Sequence, residues 1–298
     1  MGDHAPRMTP TQRLSFGPRR RTGVRVVTLD RSLEGLPLFR LSDSAEDAPV
    51  AFSPTEGTRW RVLPPLNDRL PGTFDQDVYV ELLRRYVEAD APEDGTIAFT
   101  LHAFLHSIGR QVDGRTYEQL RTGLTRLERT TLESTGAYYQ AGRGAFMNGR
   151  FSILTFVAIE RRRAVDRTQL ALFDSTMTRE PGEARVTIAA AIRENLAARH
   201  VITLSMPRYL SLASPVARRL YRLLELARAD GHLAWRVPLT RLKDLLPLVQ
   251  RYPSHLLRVL QPAHDMLVQT GVLRSVAVRQ QRREWVVDYV LDKRGEGG

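Results

Sequence analysis

Cysteine is absent from the 298-residue chain. Its absence excludes disulfide bonds, thiolate zinc sites and a cysteine nucleophile. The sequence also lacks an apolar run long enough to cross a membrane, and no apolar segment typical of a signal peptide follows its start. We therefore expect a soluble, cytoplasmic protein without a membrane partner.

Lysine is scarce, because Lys243 and Lys293 are the only two in the chain and arginine supplies the rest of the positive charge. The formal net charge is +11, which favours a polyanionic partner such as nucleic acid. A GC-rich genome would produce the same arginine preference without such a partner, so charge alone does not decide. Hydrophobic residues make up 42% of the chain, which is enough for a packed core.

The predicted helices and strands occur twice in the same order: helix, short strand, short helix, longer helix, hairpin. Apolar residues spaced three or four apart predict the helices, and extended apolar runs predict the strands. In the first half the five elements begin near Asp75, Ile97, Leu101, Thr116 and Thr131. In the second half they begin near Ser214, His232, Leu239, Pro253 and Val272. This order is the winged-helix arrangement, so we predict an α+β fold with two tandem winged-helix domains.

Each half is predicted to end in a β-hairpin. In the first half we expect Thr131–Tyr139 to pair with Phe151–Ile159 across the glycine-rich segment Ala141–Gly144. In the second half we expect Val272–Val278 to pair with Trp285–Leu291. A hairpin of this kind would form the wing of each domain.

The domain boundaries follow from this order. We expect an N-terminal basic tail with short strands, a first winged-helix domain and a second one, over residues 1–57, 58–210 and 211–298. The tail is polar and rich in proline and arginine up to about Gly23. Short strands are predicted at Val24–Leu29 and Leu36–Leu41, and a further strand at Trp60–Leu63.

The longer helix of each half is the candidate recognition helix, because an α-helix fits the major groove of DNA. In the first half its apolar stripe contains Leu120, Leu124 and Leu127, so the opposite face is expected to be exposed. Arginines can contact guanine edges or phosphates, and threonines can contact phosphates or a thymine methyl group. The candidate DNA-binding residues on that face and at the following hairpin are Arg115, Thr122, Thr125, Arg126, Arg129, Arg143 and Arg150.

The second half offers an equivalent set. Its candidate DNA-binding residues are Arg251, Ser254 and Arg258 at the longer helix, and Arg279, Arg282 and Arg283 at the hairpin. Arginine on a solvated helix face is ordinary, so the prediction rests on both helices and both hairpins being basic. Pro262 should kink the second helix, or else base contacts come only from the turns before it.

No motif predicts catalysis, a metal or a cofactor. His102 and His106 lie one helical turn apart, but the residues between them lack the glutamate of a zincin helix. Gly142 and Gly144 are not followed by the lysine of a phosphate-binding loop. The enzymatic alternative is a rolling-circle nickase, which would need a His-x-His metal pair and a tyrosine nucleophile, and the chain has no such pair. We predict a protein that is not an enzyme and binds no cofactor.

Several segments, taken in order, resemble the replication initiator protein A family of plasmid and secondary-replicon initiators, which are related to the tandem winged-helix initiators of iteron plasmids. These segments are Phe74–Val80, Ile97–Gly109, Gly114–Leu120, Leu124–Thr130 and Tyr209–Arg222. The resemblance runs from about Leu36 to Leu291, and this chain departs from it at Arg161–Glu183 and in the tail.

The resemblance implies several partners and activities. It implies sequence-specific binding to repeated sites in the double-stranded DNA of a replication origin, local opening of that duplex, and recruitment of the host replication initiator and helicase machinery. Some members of the family repress their own gene as dimers, which leaves a homodimer open. One alternative, a winged-helix transcription regulator, uses the same groove chemistry, so the sequence does not separate it from an initiator. Another alternative is a non-specific architectural DNA binder, which would bind random and origin DNA with equal affinity and lose both affinities steeply with salt.

Overall fold

The structure is a computed structural model that describes residues 26–41, 49–160, 182–250 and 252–292. The predicted tail up to Gly23 and nearly all of the Arg161–Glu183 stretch lie outside the described residues, as does Arg251. Within the described ranges the chain combines helices and sheets, so the α+β class is confirmed. No helix in these ranges is both long and apolar enough to span a membrane.

The elements fall into three stretches of chain. The first contains β1 (Val26–Asp30), α1 (Arg31–Glu34), β2 (Val50–Phe52) and β3 (Arg59–Leu63). The second contains α2 (Thr73–Glu88), β4 (Thr96–Thr100), α3 (Leu101–Ser107), α4 (Gly114–Arg129), β5 (Thr131–Gln140), β6 (Ala145–Phe151), β7 (Leu154–Ile159), β8 (Glu183–Ile188) and α5 (Ala190–Ala197). The third contains β9 (Val201–Ser205), α6 (Met206–Ser211), α7 (Pro215–Ala229), β10 (Ala234–Pro238), α8 (Leu239–Leu245), α9 (Pro253–Gln269), β11 (Leu273–Gln281) and β12 (Glu284–Leu291).

Two parts of the fold repeat the same arrangement. In the first unit (α2, β4, α3, α4, β7 and β8), the antiparallel sheet has the order β4-β8-β7. In the second unit (α7, β10, α8, α9, β11 and β12), the corresponding sheet has the order β10-β12-β11. In both units the strand before the short helix therefore pairs with the last strand of the unit, and the longer helix packs against the hairpin.

The strand pairing predicted for the hairpin of the first half is wrong. The turn at Ala141–Gly144 joins β5 to β6, and these strands continue a four-stranded sheet of order β2-β3-β5-β6, which we call the inserted sheet. The chain leaves this sheet at Ser152 and Ile153, and β7 pairs instead with β8. Strand periodicity marks extended segments but does not identify their partners, and here the partner of β7 begins only at Glu183.

Local signals place the helix boundaries. Asp113 caps α4 by accepting a hydrogen bond from the Thr116 amide at 2.8 Å, so the helix begins at Gly114, two residues before the predicted start. Ser214 caps α7 and Pro215 occupies its first turn, as predicted. Pro262 lies exposed inside α9, which continues beyond it to Gln269.

Residues 26–41 belong to the core. Strand β1 pairs with β9, so this segment is attached to the chain between the two units. The predicted strand at Leu36–Leu41 is irregular chain, but Leu36, Leu38 and Phe39 are buried. Their burial explains the apolar pattern that suggested a strand there.

Candidate nucleic-acid interface

Helix α4 has a buried side and an exposed side. Leu120, Leu124 and Leu127 are fully buried against the rest of the first unit. Arg115, Thr122 and Arg129 are exposed, as the sequence predicted. Thr125 is half-buried, and its hydroxyl donates a hydrogen bond to the carbonyl oxygen of Arg121 at 3.0 Å. Among the predicted candidates on this helix, Arg115, Thr122 and Arg129 are therefore the ones exposed to contact a duplex.

Arg126 was expected on the exposed face, and this placement is wrong. Its side chain is only 6% exposed and donates to Asp75 of α2 at 2.8 Å and to Asp68 at 3.2 Å. Gly123, one turn earlier, allows α2 to approach, because a Cβ there would lie 2.7 Å from the Asp75 carboxylate. Arg126 therefore ties α4 to α2 and does not face solvent.

Arg143 and Arg150 lie on the inserted sheet and not on the β7–β8 hairpin. Arg143 is exposed in the turn between β5 and β6, 3.6 Å from Glu194. Arg150 is exposed on β6 and donates to Glu133 of β5 at 2.7 Å. Both arginines therefore have a carboxylate partner and lie outside the repeated units.

Helix α9 is the counterpart of α4 in the second unit. Leu256, Leu260 and Leu267 are buried, whereas Ser254 and Arg258 are exposed. Tyr252, at the start of the helix, is 66% exposed, and a large exposed aromatic ring at this position is suited to contact a sugar or base. Sequence reasoning missed Tyr252.

The β11–β12 hairpin carries the remaining candidates. Arg279, Arg282 and Arg283 are exposed, and Arg279 lies 3.7 Å from Asp288. Arg282 adopts a positive φ of 55°, which is unusual for a residue with a long side chain. The two-residue turn needs this backbone conformation, and glycine or asparagine would adopt it at lower cost.

A groove of about 430 Å³ separates the hairpin from α8 and the start of α9. Trp285, Leu239 and Leu256 form part of its apolar lining. The positive charges of Lys243 and Arg283 lie in the same lining as the carboxylates of Asp244 and Glu284. Lys243 was missed as a candidate, although it is the sole lysine in the part of the chain that the structure describes. Its place on the short helix before the candidate recognition helix was the available signal.

The geometry provides no metal site among the described residues, where no group of three or more histidine or acidic side chains could hold an ion. His102 and His106 are both exposed on α3. The two units instead present basic and hydroxyl side chains on α4, α9 and the β11–β12 hairpin, an arrangement that can donate hydrogen bonds to phosphates and base edges.

The model of the family described as replication initiator protein A matches residues 29–266. Among solved structures, a crystal structure of domains 2 and 3 of RctB, determined on selenomethionine derivatives, is similar to this chain with a TM-score of 0.56 and 15% identity. The similarity covers 89% of this chain and 99% of the RctB chain. A crystal structure of the Pi initiator protein in complex with iteron DNA is similar with a TM-score of 0.54 and 13% identity, covering 91% of this chain and 98% of that one. No curated protein sequence matches the chain. At identities this low, the structural likenesses show a shared fold.

Proposed function

Because the chain belongs to the replication initiator protein A family, we propose that it is a sequence-specific double-stranded DNA-binding initiator of a plasmid or secondary replicon. It binds repeated origin sites, promotes local opening of the duplex and recruits the host initiator and helicase machinery. The observation that carries this proposal is that two units of equal strand order each expose arginine on their longer helix, in a fold shared with an initiator solved on iteron DNA.

The two units correspond to the two winged-helix domains. In this reading α4 and α9 are the recognition helices, and the β7–β8 and β11–β12 hairpins are the wings. The sheet orders β4-β8-β7 and β10-β12-β11 support it, because each recognition helix then precedes the two strands of its wing. The boundary between the domains falls near residue 210, before α7.

The proposed DNA contacts are candidate side chains that the structure exposes, together with the half-buried Lys243 of the groove. Arg115, Thr122, Arg129, Ser254 and Arg258 read bases or hold phosphates from the two recognition helices. Arg279, Arg282, Arg283 and Lys243 contact phosphates from the second wing and its groove. Arg143 and Arg150, together with Arg251 beyond the described residues, remain proposed phosphate contacts, and the buried Arg126 is withdrawn.

Arg258→Ala tests the proposal most directly. Duplexes recovered by footprinting from the DNA that flanks the gene are titrated with the wild-type and variant proteins. A base contact at Arg258 predicts a loss of about 1–3 kcal/mol with relaxed preference at one position. A phosphate contact predicts weaker binding to all sequences and a salt slope lower by about one. Unchanged binding by folded Arg258→Ala would remove α9 from the site.

Arg199→Asn is the matched control. Arg199 is exposed in the loop after α5 with a φ of 56°, so asparagine removes one positive charge and tolerates the same backbone.

Deletion of the gene separates initiation from regulation. Loss of the replicon in a plasmid-maintenance assay supports an initiator, whereas altered transcription with a stable replicon supports a transcription regulator.

A further inference from the structure

Two of the segments that carry the family resemblance, Phe74–Val80 and Tyr209–Arg222, meet in the interior of the protein and do not lie at the DNA-facing helices. Their polar side chains form a buried cluster between the first helices of the two units. We call this cluster the α2–α7 polar layer; its members are Glu34, Gln76, Asp77, Tyr209, Arg218, Arg219 and Arg222. Each member is at most 9% exposed.

Asp77 of α2 is the first anchor of this layer. Its carboxylate accepts hydrogen bonds from the Tyr209 hydroxyl at 3.0 Å and from the Arg218 guanidinium of α7. Arg110, in the loop between α3 and α4, donates a hydrogen bond to the same carboxylate at 3.0 Å. Arg218 is held in place by a second bond, to the carbonyl oxygen of Leu212 at 2.7 Å.

Glu34 of α1 is the second anchor. It accepts one hydrogen bond from Arg219 at 3.0 Å and one from Arg222 at 3.1 Å. Arg222 also donates to Gln76 of α2 at 2.8 Å, and Arg219 donates to the carbonyl oxygen of Leu36 at 2.9 Å. Burial lowers the pKa of Arg219 to about 10, so this side chain remains charged at neutral pH.

These bonds restrict how the two units can be arranged. An apolar helix contact tolerates sliding and rotation because the hydrophobic effect has no direction. A shift of α7 along α2 by one residue, about 1.5 Å, would separate buried charges from their partners. Helix α2 packs on α4 and α7 packs on α9, so the layer also determines the separation of the two recognition helices.

A second contact joins the second unit to the inserted sheet. The Arg241 guanidinium of α8 lies 4.0 Å from the ring centroid of Phe52 in the inserted sheet. It also donates to the carbonyl oxygens of Ser53 at 2.8 Å and Pro54 at 3.0 Å. This contact joins different elements from those of the polar layer, so the second unit is attached to the rest of the protein at two places.

We propose that the α2–α7 polar layer is a positioning device that holds α4 and α9 at one separation and thereby determines which spacing of DNA half-sites the protein accepts. The proposal rests on the proposed function, since it assumes that both helices bind one duplex. The positioning residues are those whose bonds cross between the units, above all Asp77 and Arg222.

The arrangement is measured first without DNA. The chain has no cysteine, so cysteines substituted at the exposed Gln119 of α4 and Gln261 of α9 can be spin-labelled as a single pair. Pulsed electron paramagnetic resonance should give one narrow distance for the otherwise wild-type protein. Arg222→Met and Asp77→Asn should at least double the width of this distribution or add a second distance.

Arg84→Met is the matched control. Arg84 is 6% exposed on α2, but its partners Glu81 and Glu88 belong to the same helix. The substitution removes an equally buried guanidinium without touching a bond between the units, so it should leave the distance unchanged. If Arg222→Met does not fold, Gln76→Leu removes the bonds of Gln76 to Arg222 and to the Pro215 carbonyl oxygen without removing a charge, and the same broadening is expected.

The DNA measurement uses duplexes that the wild-type protein selects from random sequence, with base pairs inserted between the two protected half-sites. Wild-type affinity should fall at least tenfold on insertion of a few base pairs, and Arg222→Met should reduce this penalty at least threefold. An unchanged distance in Arg222→Met and Asp77→Asn would overturn the proposal, as would a broadened distance with an unaltered spacing penalty. If the wild-type protein selects no duplex, the proposed function fails, and with it the spacing role, while the distance measurement still decides whether the layer fixes the arrangement.

Discussion

Asp30 is a carboxyl group with no solvent exposure, at the junction of β1 and α1. It accepts hydrogen bonds from the Tyr138 hydroxyl, from Asn195 at 3.1 Å and from the Ser32 amide at 2.9 Å. Burial outweighs these bonds and raises the pKa of Asp30 from 3.8 to about 7. The folded protein therefore binds this proton more tightly than the unfolded chain does.

The first prediction is that Asp30 makes stability fall as pH rises. Its contribution is fully present below pH 4 and is lost as pH rises through 7, and the part lost between pH 5 and pH 7 is about 2 kcal/mol. Asp30→Asn keeps a capping oxygen at the start of α1 but removes the titration. Urea unfolding at pH 5 and pH 7 should show a decrease in the free energy of unfolding that is about 2 kcal/mol larger for the wild-type protein than for the variant. Equal decreases in the wild-type protein and in Asp30→Asn would contradict this prediction.

His264 is expected to act in the opposite direction. It is buried on α9, where its ring nitrogen lies 2.8 Å from the Tyr289 hydroxyl, and burial lowers its pKa from 6.5 to about 4. The stability linked to the neutral ring is present above pH 6.5 and is lost as pH falls toward 4, so about 2 kcal/mol should disappear by pH 5. His264→Gln should lack this loss in urea unfolding, whereas His232→Gln, at an exposed position, should retain it.

At the scale of single elements, α4 combines a structural arginine with exposed ones. Arg126→Ala leaves the buried Asp75 without its partner, so we expect a loss of about 3–5 kcal/mol in the free energy of unfolding. Arg129→Ala, on the exposed face, should change stability by less than about 0.5 kcal/mol and should weaken DNA binding instead. Urea unfolding and duplex titration of both variants check this division. An Arg126→Ala protein of wild-type stability with weakened DNA binding would contradict the structural role assigned to Arg126.

The β11–β12 turn offers a second test at this scale. Arg282 has a φ of 55°, so Arg282→Gly removes backbone strain and should raise stability by about 1 kcal/mol. The same substitution removes a proposed phosphate contact, so duplex affinity should fall and the salt slope should decrease by about one. A thermal unfolding curve and a salt titration measure the two effects. If glycine raised stability and left affinity unchanged, the turn would not be part of the interface.

The sequence predicted those elements whose signals are local. Ser214 and Pro215 marked the start of α7, and the leucine stripe of α4 marked its buried face. The pairing of β7 with β8 and the burial of Arg126 were not predictable, because the partners come from distant parts of the chain. Asp68 and Asp75, which hold Arg126, lie more than fifty residues before it, and periodicity on α4 contains no information about them.

At the scale of the whole molecule, the two units should bind one duplex together. Arg115→Ala with Arg129→Ala removes two exposed charges from the first unit, and Arg258→Ala with Arg283→Ala removes two from the second. Each phosphate contact contributes about 0.9 to the slope of log affinity against log salt, so each double variant should lower the slope by about two. The quadruple variant should lower it by about four.

Additivity of these slopes is the informative result, because it requires both units to release counterions from the same DNA. If only one unit bound, one of the double variants would have the wild-type slope and the quadruple variant would match the other. Arg199→Asn removes one charge outside the two units and should leave the slope unchanged. Filter-binding titrations on one selected duplex, at several salt concentrations, distinguish these outcomes, since a general effect of net charge would change the slope for Arg199→Asn as well.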